Sequence, residues 1–298
     1  MIDENVKKEK IDQRKIVGNV ENLWKSGETE GIERFLTQNG YRPKEQIGAG
    51  GFGEVYRVED EKGQNFAVKI VDVPSGKIRF LEREAKLLWN LRYPVFPKYK
   101  AFYKSEEKGY LIMEYLEGNT LEKFLSAGRS FTEEQIRSYA TTMAQSLSFL
   151  HRRGYVFRDL KPANMIIDPM GNLRILDLGC VLHVREGENS KVGSAPFAAP
   201  EQLESGICDP LCDLYSLGRI MEQLINRSIT PRSKSNLTPR SKQIHFLSKI
   251  AKWCREEETG KRFPDAEQLS YILQDCSVKP RFVICQNIWK NTCRFEQK

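Results

Sequence analysis

The feature that most limits the possible folds of this chain is a glycine-rich stretch, residues 48–55, that is followed by strand patterns. Residues 55–58 are rich in β-formers, residues 61–65 make a turn, and the apolar run 66–71 follows. A dinucleotide-binding fold would instead need a helix directly after the glycines. The pattern therefore predicts a β-hairpin lid. Because glycine has no side chain, backbone amides in this lid can approach phosphates closely.

Lys69 lies in the strand that follows the lid, where it can reach phosphates as a positive charge. A lysine in such a place needs a counter-charge. The helical pattern over residues 80–91 offers Glu84, which shares the apolar face of that helix, whereas Glu82 does not. An acid on an inward face is costly unless it is paired. We therefore predict an ion pair between Lys69 and Glu84.

A second stretch places an acid, a cation and an amide within six residues. Asp159 can accept a proton from a hydroxyl, Lys161 can hold a phosphoryl group during transfer, and Asn164 can give an oxygen to magnesium. The apolar strand pattern 173–176 then delivers Asp177, which is a second oxygen ligand. These residues predict a single centre for phosphoryl transfer.

The clearest helix pattern covers residues 132–151. Thr132 and Gln135 match a capping box, in which each residue bonds the backbone of the other. One face of this segment is apolar along its length, which predicts a scaffold helix. His151 at its end is expected to be a terminal cap or a surface residue.

Composition and charge limit the other classes of function. The 298 residues are 40% hydrophobic, enough for a core near the size at which cores divide in two. The net charge is +7, but residues 226–242 and 279–298 carry +5 and +4, so the rest is slightly acidic and no nucleic-acid partner is expected. Seven cysteines without a secretory leader predict reduced thiols. No apolar run reaches the roughly 18 residues of a membrane span, so we expect a soluble, cytoplasmic protein.

These motifs together resemble those of eukaryotic-like (Hanks-type) serine/threonine protein kinases. Lys161 is typical of the serine/threonine branch, and the small size with Phe157 is similar to bacterial members. Two positions depart from the family pattern, Phe157 where His is usual and Leu178 where Phe is usual. The resemblance covers about residues 41–276, and the motifs that carry it are the glycine stretch, Lys69 with Glu84, Arg158 to Asn164, Asp177-Leu178-Gly179, Ala199-Pro200-Glu201 and Arg262.

The resemblance implies an α+β, bilobed protein kinase fold. The N-lobe would be a small antiparallel β-sheet with one regulatory helix, and the larger C-lobe would be mainly α-helical. The implied divisions are an N-terminal helical extension at 1–40, the N-lobe at 41–116, the C-lobe at 117–276 and a basic tail at 277–298.

The resemblance also implies the site residues. Asp159, Lys161 and Asn164 would be catalytic, while Asn164 and Asp177 would hold Mg²⁺, with Mn²⁺ as an alternative. Ser194 would lie beside the catalytic acid and lysine, and Glu201 would pair with Arg262. The residues implied to bind ATP are Gly48, Ala49, Gly50, Gly51, Phe52, Gly53, Val55, Ala67, Lys69, Glu84, Met113, Glu114, Leu116, Ile166 and Asp177.

The function implied by the resemblance is transfer of the ATP γ-phosphate to Ser or Thr hydroxyls of protein substrates, with autophosphorylation. Ser190, in the implied activation segment, is an available acceptor for a phosphate that Arg158 could bind. Two alternatives remain open. Phe157 and Leu178 are compatible with a catalytically weak scaffold of the same fold. A small-molecule kinase of related fold would lack Glu201, Arg262 and Ser194 in these roles.

Two further segments have open roles. Apolar residues recur at helical spacing in residues 16–24 and 32–36, and they predict two short amphipathic helices that either pack on the small lobe or dock a partner. The pentapeptide Thr-Pro-Arg-Ser-Lys occurs twice, at 230–234 and 238–242. Its composition predicts a solvated loop within 226–242, which could also recruit an acidic substrate.

Overall fold

The structure is a computed structural model, and it divides into two compact units, residues 1–116 and 117–298. The predicted helix at 16–24, Ser190 and the basic tail lie outside the described residues. None of the described helices is both long and apolar enough to cross a bilayer. The structure describes residues 28–50, 53–186, 192–206, 209–228 and 239–274.

The first unit contains a five-stranded antiparallel sheet with strand order β1-β2-β3-β5-β4. The predicted succession of strand, glycine loop, strand, turn and strand is confirmed. The predicted helix 80–91 begins two residues earlier and ends one residue earlier. The elements are α1 Glu28–Gln38, β1 Tyr41–Gly50, β2 Gly53–Asp60, β3 Asn65–Asp72, α2 Ile78–Asn90, β4 Tyr99–Lys104 and β5 Lys108–Glu114.

The two faces of this sheet have different roles because side chains alternate along a strand. Phe66, Val68 and Ile70 of β3 belong to a hydrophobic cluster together with α1. Ala67 and Lys69, at the alternate positions, lie on the opposite face. Both faces are buried at β3. One strand therefore supports a core on one side and presents the predicted site residues on the other.

Helix α1 covers the first of these faces. Ile32, Phe35 and Leu36 are at most 4% exposed, and the Phe35 ring stacks on Tyr110 of β5 with ring centres 4.0 Å apart. Phe35 also meets Tyr103 edge-on at 5.6 Å. The predicted helix at 32–36 is confirmed, and it packs on the sheet. Docking of a partner by this helix stays a prediction.

The second unit is mainly helical, with two small sheets of order β6-β8-β9 and β10-β7. Three short 3-10 turns, Pro162–Asn164, Val184–Glu186 and Thr259–Lys261, join its elements. These are β6 Asn119–Thr120, α3 Leu121–Ser126, α4 Glu133–His151, β7 Tyr155–Val156, β8 Met165–Ile167, β9 Leu173–Ile175, β10 Leu182–His183, α5 Pro200–Glu204, α6 Pro210–Asn226, α7 Pro239–Cys254 and α8 Ala266–Gln274.

Helix α4 is the central scaffold of this unit, as predicted. The Thr132 hydroxyl accepts from the Gln135 amide at 3.2 Å, and the Gln135 side chain accepts from the Thr132 amide at 3.0 Å. The capping box is therefore confirmed. The buried face of the helix packs against α6 and α8.

The long helices α6 and α7 each begin at a proline. Helix α6 begins at Pro210, and Asp209 caps it by accepting from the Leu211 amide at 2.7 Å. Helix α7 begins at Pro239, so the loop predicted to extend to residue 242 is wrong over its last four residues. Proline is compatible with the first helical turn because amides there have no partner within the helix.

Replacing Phe35 by Ala should destabilise the first unit, because it removes a fully buried ring and its stack on Tyr110. We expect a loss of about 3–5 kcal/mol in the free energy of unfolding. Denaturant unfolding measures this loss. Gln38→Ala, at an exposed position of the same helix, is the control and should change stability little. Equal midpoints for Phe35→Ala and the wild type would contradict the packing role of α1.

Candidate active site

Asp159, Lys161 and Ser194 form a closed set of polar contacts in the second unit. The Lys161 Nζ lies 2.7 Å from Asp159 Oδ2 and donates to Ser194 Oγ at 2.9 Å. The Ser194 hydroxyl in turn donates to Asp159 Oδ1 at 2.9 Å. The structure thus brings these three predicted residues together. A hydroxyl is held between an acceptor and a cation, which is an arrangement that can also position an incoming hydroxyl.

Asn164 lies against the same aspartate. Its Nδ2 donates to the Asp159 backbone carbonyl at 3.0 Å, and this contact directs the amide oxygen away from that carbonyl. Lys161 precedes the 3-10 turn that ends at Asn164. The short turn therefore brings the acid, the cation and the amide to one place.

Asp177 is held near Asn164 by a small hairpin. In the hairpin β8–β9, Met165 pairs with Ile175, and the next backbone bond runs from the Leu176 amide to the Asn164 carbonyl at 2.9 Å. Asp177 follows directly, and its Oδ1 accepts from the Gly179 amide at 2.8 Å. The two predicted metal ligands thus leave the same end of one hairpin.

The donor set of Asn164 and Asp177 fits magnesium. Amide and carboxylate oxygens are hard ligands, and Mg²⁺ is commonly bound by one or two carboxylates together with substrate phosphates. Within the described ranges, no group of three or more His, Cys, Asp or Glu residues could hold a metal ion. Asn164 and Asp177 could supply two oxygen ligands of a Mg²⁺ ion.

The backbone before Asp159 has an unusual conformation. Arg158 has φ +74°, and it is the one non-glycine residue with positive φ in the described part of the chain. The buried carboxylate of Asp213 accepts from the amides of Phe157 and Arg158, each at 2.8 Å. These bonds hold the strained turn that directs Asp159, because such conformations persist only where the surroundings fix them.

His151 is a correction to the sequence analysis, where it was expected to be a cap or a surface residue. Its Nε2 lies 2.8 Å from Asp213 Oδ2, and its side chain is only 10% exposed. His151 therefore supports the carboxylate that holds the turn before Asp159. No sequence pattern pointed to Asp213 either, because it lies 56 and 55 residues from Phe157 and Arg158, whose amides it binds.

In the first unit, Lys69 and Glu84 form the predicted ion pair. The Lys69 Nζ donates to Glu84 Oε2 at 2.8 Å, and the side chains are 8% and 0% exposed. Glu82 instead pairs with Lys104 at 2.9 Å in a more exposed place. The shared apolar face was thus a sufficient signal for choosing Glu84 over Glu82.

Several residues predicted to bind ATP share the sheet face of Lys69. Val55 lies directly opposite Lys69 in the β2–β3 pair, and Ala67 lies opposite Met113 in the β3–β5 pair. Directly opposed residues point to the same side of a sheet. These side chains therefore form one surface with Lys69.

The glycine hairpin forms as predicted, with Gly48 opposite Val55 and Gly50 opposite Gly53. Gly53 has φ +107°, and a Cβ there would lie 2.1 Å from the Ile70 carbonyl oxygen. Only glycine fits this position. Gly51 and Phe52 lie outside the described residues, while Ala49 is exposed in β1 opposite Glu54.

Glu114, the last residue of β5, is hydrogen-bonded to Lys98, which directly precedes β4. The Glu114 amide donates to the Lys98 carbonyl at 2.8 Å, and the Lys98 amide donates to Glu114 Oε2 at 3.0 Å. The amide of Glu114 is therefore already engaged. Leu116 is buried at 7% exposure, and Ile166 in β8 is half-buried.

Glu201 and Arg262 form the predicted pair in a bidentate geometry. The Arg262 NH1 and NH2 groups lie 2.6 and 2.8 Å from the two Glu201 oxygens. Arg262 also donates to the carbonyls of Glu256, Glu257 and Leu211, so all five of its N–H donors are used. This pair ties α5 to the segment before α8.

The ion pair also governs how Glu201 titrates. Burial raises the pKa of Glu201, but the hydrogen bonds of Arg262, helped by the Glu201 amide and the Cys212 thiol, lower it by more. The net pKa of Glu201 lies below its ordinary value. The carboxylate therefore stays charged in the folded protein at moderately acidic pH.

Comparison with known proteins identifies the family. A family model for the protein kinase domain matches residues 41–280. The chain belongs to the protein kinase family. The antiparallel sheet unit and the mainly helical unit are in accord with the α+β kinase fold that the sequence predicts.

The relatives of this kinase include serine/threonine-protein kinases and a cytokinesis protein. RAC-beta serine/threonine-protein kinase of Homo sapiens is 30% identical over 198 residues, 64% of this chain and 41% of that protein. Cytokinesis protein sepH of Aspergillus niger is 32% identical, covering 62% and 14% of the two chains. A probable serine/threonine-protein kinase of Streptomyces coelicolor is 30% identical, over 60% of this chain and 29% of that protein. The matches thus span less than half of each relative, and they come from eukaryotes as well as a bacterium.

Glu201→Gln should destabilise the kinase, because it leaves the buried Arg262 without its counter-charge. We expect a loss of about 3 kcal/mol at neutral pH. Since the pKa of Glu201 is lowered on folding, its contribution is fully present above the unfolded pKa of about 4.3 and is lost as pH falls through the folded value. The difference in unfolding free energy between wild type and variant should therefore become smaller below about pH 4.3.

Unfolding free energies measured from neutral to acidic pH test this expectation. Glu204→Gln, an exposed position on the same helix, is the matched control and should track the wild type throughout. If the stability difference between Glu201→Gln and the wild type stays constant as the pH falls, the loss of stability is not caused by the negative charge of Glu201.

Proposed function

We propose that this kinase domain transfers the γ-phosphate of ATP to Ser or Thr hydroxyls of protein substrates. One observation carries the proposal, the Ser194 hydroxyl that Asp159 and Lys161 hold between them. Groups that hold one aliphatic hydroxyl this way have the chemistry to hold another. The serine/threonine kinase names of the relatives support the same substrate class.

In the proposed reaction, Asp159 orients the acceptor hydroxyl and takes its proton as the oxygen attacks the γ-phosphorus. A bond forms between the acceptor oxygen and phosphorus, the bond to the bridging oxygen of ADP breaks, and ADP leaves. Lys161 stabilises the negative charge of the moving phosphoryl group. Asn164 fixes Asp159 through its backbone carbonyl. Contacts within the second unit support these roles.

Asn164 and Asp177 would hold Mg²⁺, or Mn²⁺ in its place. A bound ion neutralises charge on the phosphates and favours their alignment. Lys69, fixed by Glu84, would orient the phosphates from the first unit. The glycine hairpin would cover them with its backbone amides.

The adenine ring would bind on the apolar surface that shares the Lys69 face. Backbone groups of Glu114 and Leu116 would hold its polar edge. The remaining proposed contacts are those of Gly48, Ala49, Gly50, Gly51, Phe52, Val55, Ala67, Met113 and Ile166.

A protein substrate is preferred over a small molecule because of Glu201, Arg262 and Ser194. The ion pair anchors the end of the segment on which Ser194 lies, and an ordered segment beside the acid is suited to docking a polypeptide. The scaffold alternative is less well supported. Phe157 and Leu178, the two departures from the family pattern, are fully buried at 1% and 0% exposure, so they act as core residues and leave Asp159 and Asp177 in place.

We further propose that the kinase works in the cytoplasm, and that its lobes are residues 41–116 and 117–276 flanked by extensions at 1–40 and 277–298. Cys180, Cys212 and Cys254 are buried thiols, which are suited to a reducing compartment. Autophosphorylation at Ser190 stays a prediction.

Incubation with labelled ATP, magnesium and a panel of generic acceptors, both proteins and small alcohols or sugars, tests the proposed function. Phosphosite mapping should find phosphoserine or phosphothreonine on the acceptors. Label on small alcohols or sugars alone would support the small-molecule alternative. No transfer to any acceptor, with ATP bound, would support the scaffold.

Asp159→Asn should lower turnover by about 10²–10⁴-fold, because it removes the proton acceptor. ATP affinity should stay nearly unchanged, since the nucleotide contacts lie elsewhere. Transfer rates and equilibrium ATP binding are measured side by side. Asp72→Asn makes the same chemical change at an exposed position of the first unit and should keep full activity. If Asp159→Asn keeps more than about a tenth of the rate, Asp159 is not the base.

A further inference from the structure

The side-chain amide of Gln202 joins two backbone segments of the second unit. Its Nε2 donates to the Arg158 carbonyl at 2.6 Å and also to the Val192 carbonyl. Gln202 lies in helix α5 and is 1% exposed. Helix α5 thus contacts two segments through one buried side chain. One is the turn at Phe157 and Arg158 that precedes Asp159, called here the catalytic turn, and the other is the segment from Val192 to Ala199, called here the activation segment.

Those two carbonyls flank the contact between Asp159 and Ser194. Arg158 directly precedes Asp159, and Val192 lies two residues before Ser194. The hydrogen bond from the Ser194 hydroxyl to Asp159 Oδ1, at 2.9 Å, joins the same two segments. Gln202 therefore sets the separation of the two backbones that carry this acid and this hydroxyl.

Only a donor with two hydrogens satisfies this position. An amide nitrogen has two N–H groups, one for each carbonyl, whereas a carboxylate would place negative charge against both carbonyls. The other atom of the amide, Oε1, is buried and has no hydrogen-bond partner within the described residues. A buried acceptor without a partner destabilises a protein. The buried amide therefore carries a cost that packing alone does not explain, which points to its two donated hydrogen bonds as its role.

Gly193 provides the space for this contact. It has φ +140°, and a Cβ there would lie 2.6 Å from the Gln202 Nε2 and 3.3 Å from the Arg158 carbonyl oxygen. Any other residue would push the amide away from its two acceptors. The backbone of the segment thus passes close to the catalytic turn only because residue 193 has no side chain.

We propose that Gln202 is a positioning residue for phosphoryl transfer. Its two hydrogen bonds hold the end of the activation segment against the catalytic turn, and through Arg158 they fix the direction of Asp159. The contact uses neutral groups of the chain, so this part of the segment is ordered without an added phosphate. The proposal rests on the proposed kinase activity, since Asp159 is the group that Gln202 positions.

Gln202→Met tests the proposal, because methionine has nearly the same length and volume but no donor. We expect kcat to fall by about tenfold, as the loss of two net hydrogen bonds allows. The KM for ATP should stay within about twofold, because no nucleotide contact changes. Hydrogen exchange of the amides at residues 192–198 should become faster. Leu203→Met, at an exposed position of the same helix, is the matched control and should alter none of these quantities.

The outcomes separate this proposal from the proposed function. If the wild type transfers no phosphate, the proposed function fails, while hydrogen exchange at residues 192–198 still tests the contact. Unchanged kcat and unchanged exchange in Gln202→Met would overturn the proposal. If kcat and the unfolding midpoint fall without faster exchange, Gln202 is structural only, which also overturns it. Should Gln202→Met not fold, Gln202→Asn, which keeps the donors but is too short to span both carbonyls, enters the same measurements with the same expected direction.

Discussion

The buried carboxylate of Asp213 is the group on which the geometry of the second unit depends. It accepts from two successive backbone amides, those of Phe157 and Arg158, and it lies beside His151. A carboxylate at 0% exposure is tolerated only when its oxygens are well paired. The result is a backbone turn with positive φ at Arg158, from which Asp159 extends toward Lys161 and Ser194.

Further hydrogen bonds hold the backbone carbonyls of this turn. Asn164 bonds the carbonyl of Asp159, and Gln202 bonds the carbonyl of Arg158. Glu201, adjacent to Gln202, is clamped by Arg262. The acid that we assign as catalytic is therefore fixed in two ways, by contacts to the backbone carbonyls of Arg158 and Asp159 and by the contacts of Lys161 and Ser194 with its carboxylate.

The sequence predicted those contacts in which two side chains pair on a shared apolar face or lie a few residues apart in the chain. Glu84 was found because a buried face cannot hold an unpaired acid, and the capping box at Thr132 because its two partners lie three residues apart. Ser194 and the pair of Glu201 with Arg262 came from family resemblance. The role of Asp213 was missed because its hydrogen-bond donors are the backbone amides of Phe157 and Arg158, the latter 55 residues away, and a backbone amide leaves no trace in a pattern of residue types. The contact of His151 with Asp213 was missed because the two residues lie 62 positions apart in the sequence.

The hairpin β8–β9 has a consequence for engineering. Asn164 and Asp177 leave its open end, where a backbone bond from Leu176 fixes their register, while the turn at the opposite end carries Met170 at 85% exposure. Residues added within either strand would shift one ligand to the other face of the hairpin. Residues added at the turn would not change the register of the ligand end. The tip at Met170 is thus a natural place to graft an epitope or a fluorescent label, so that the enzyme can be followed without disturbing its centre.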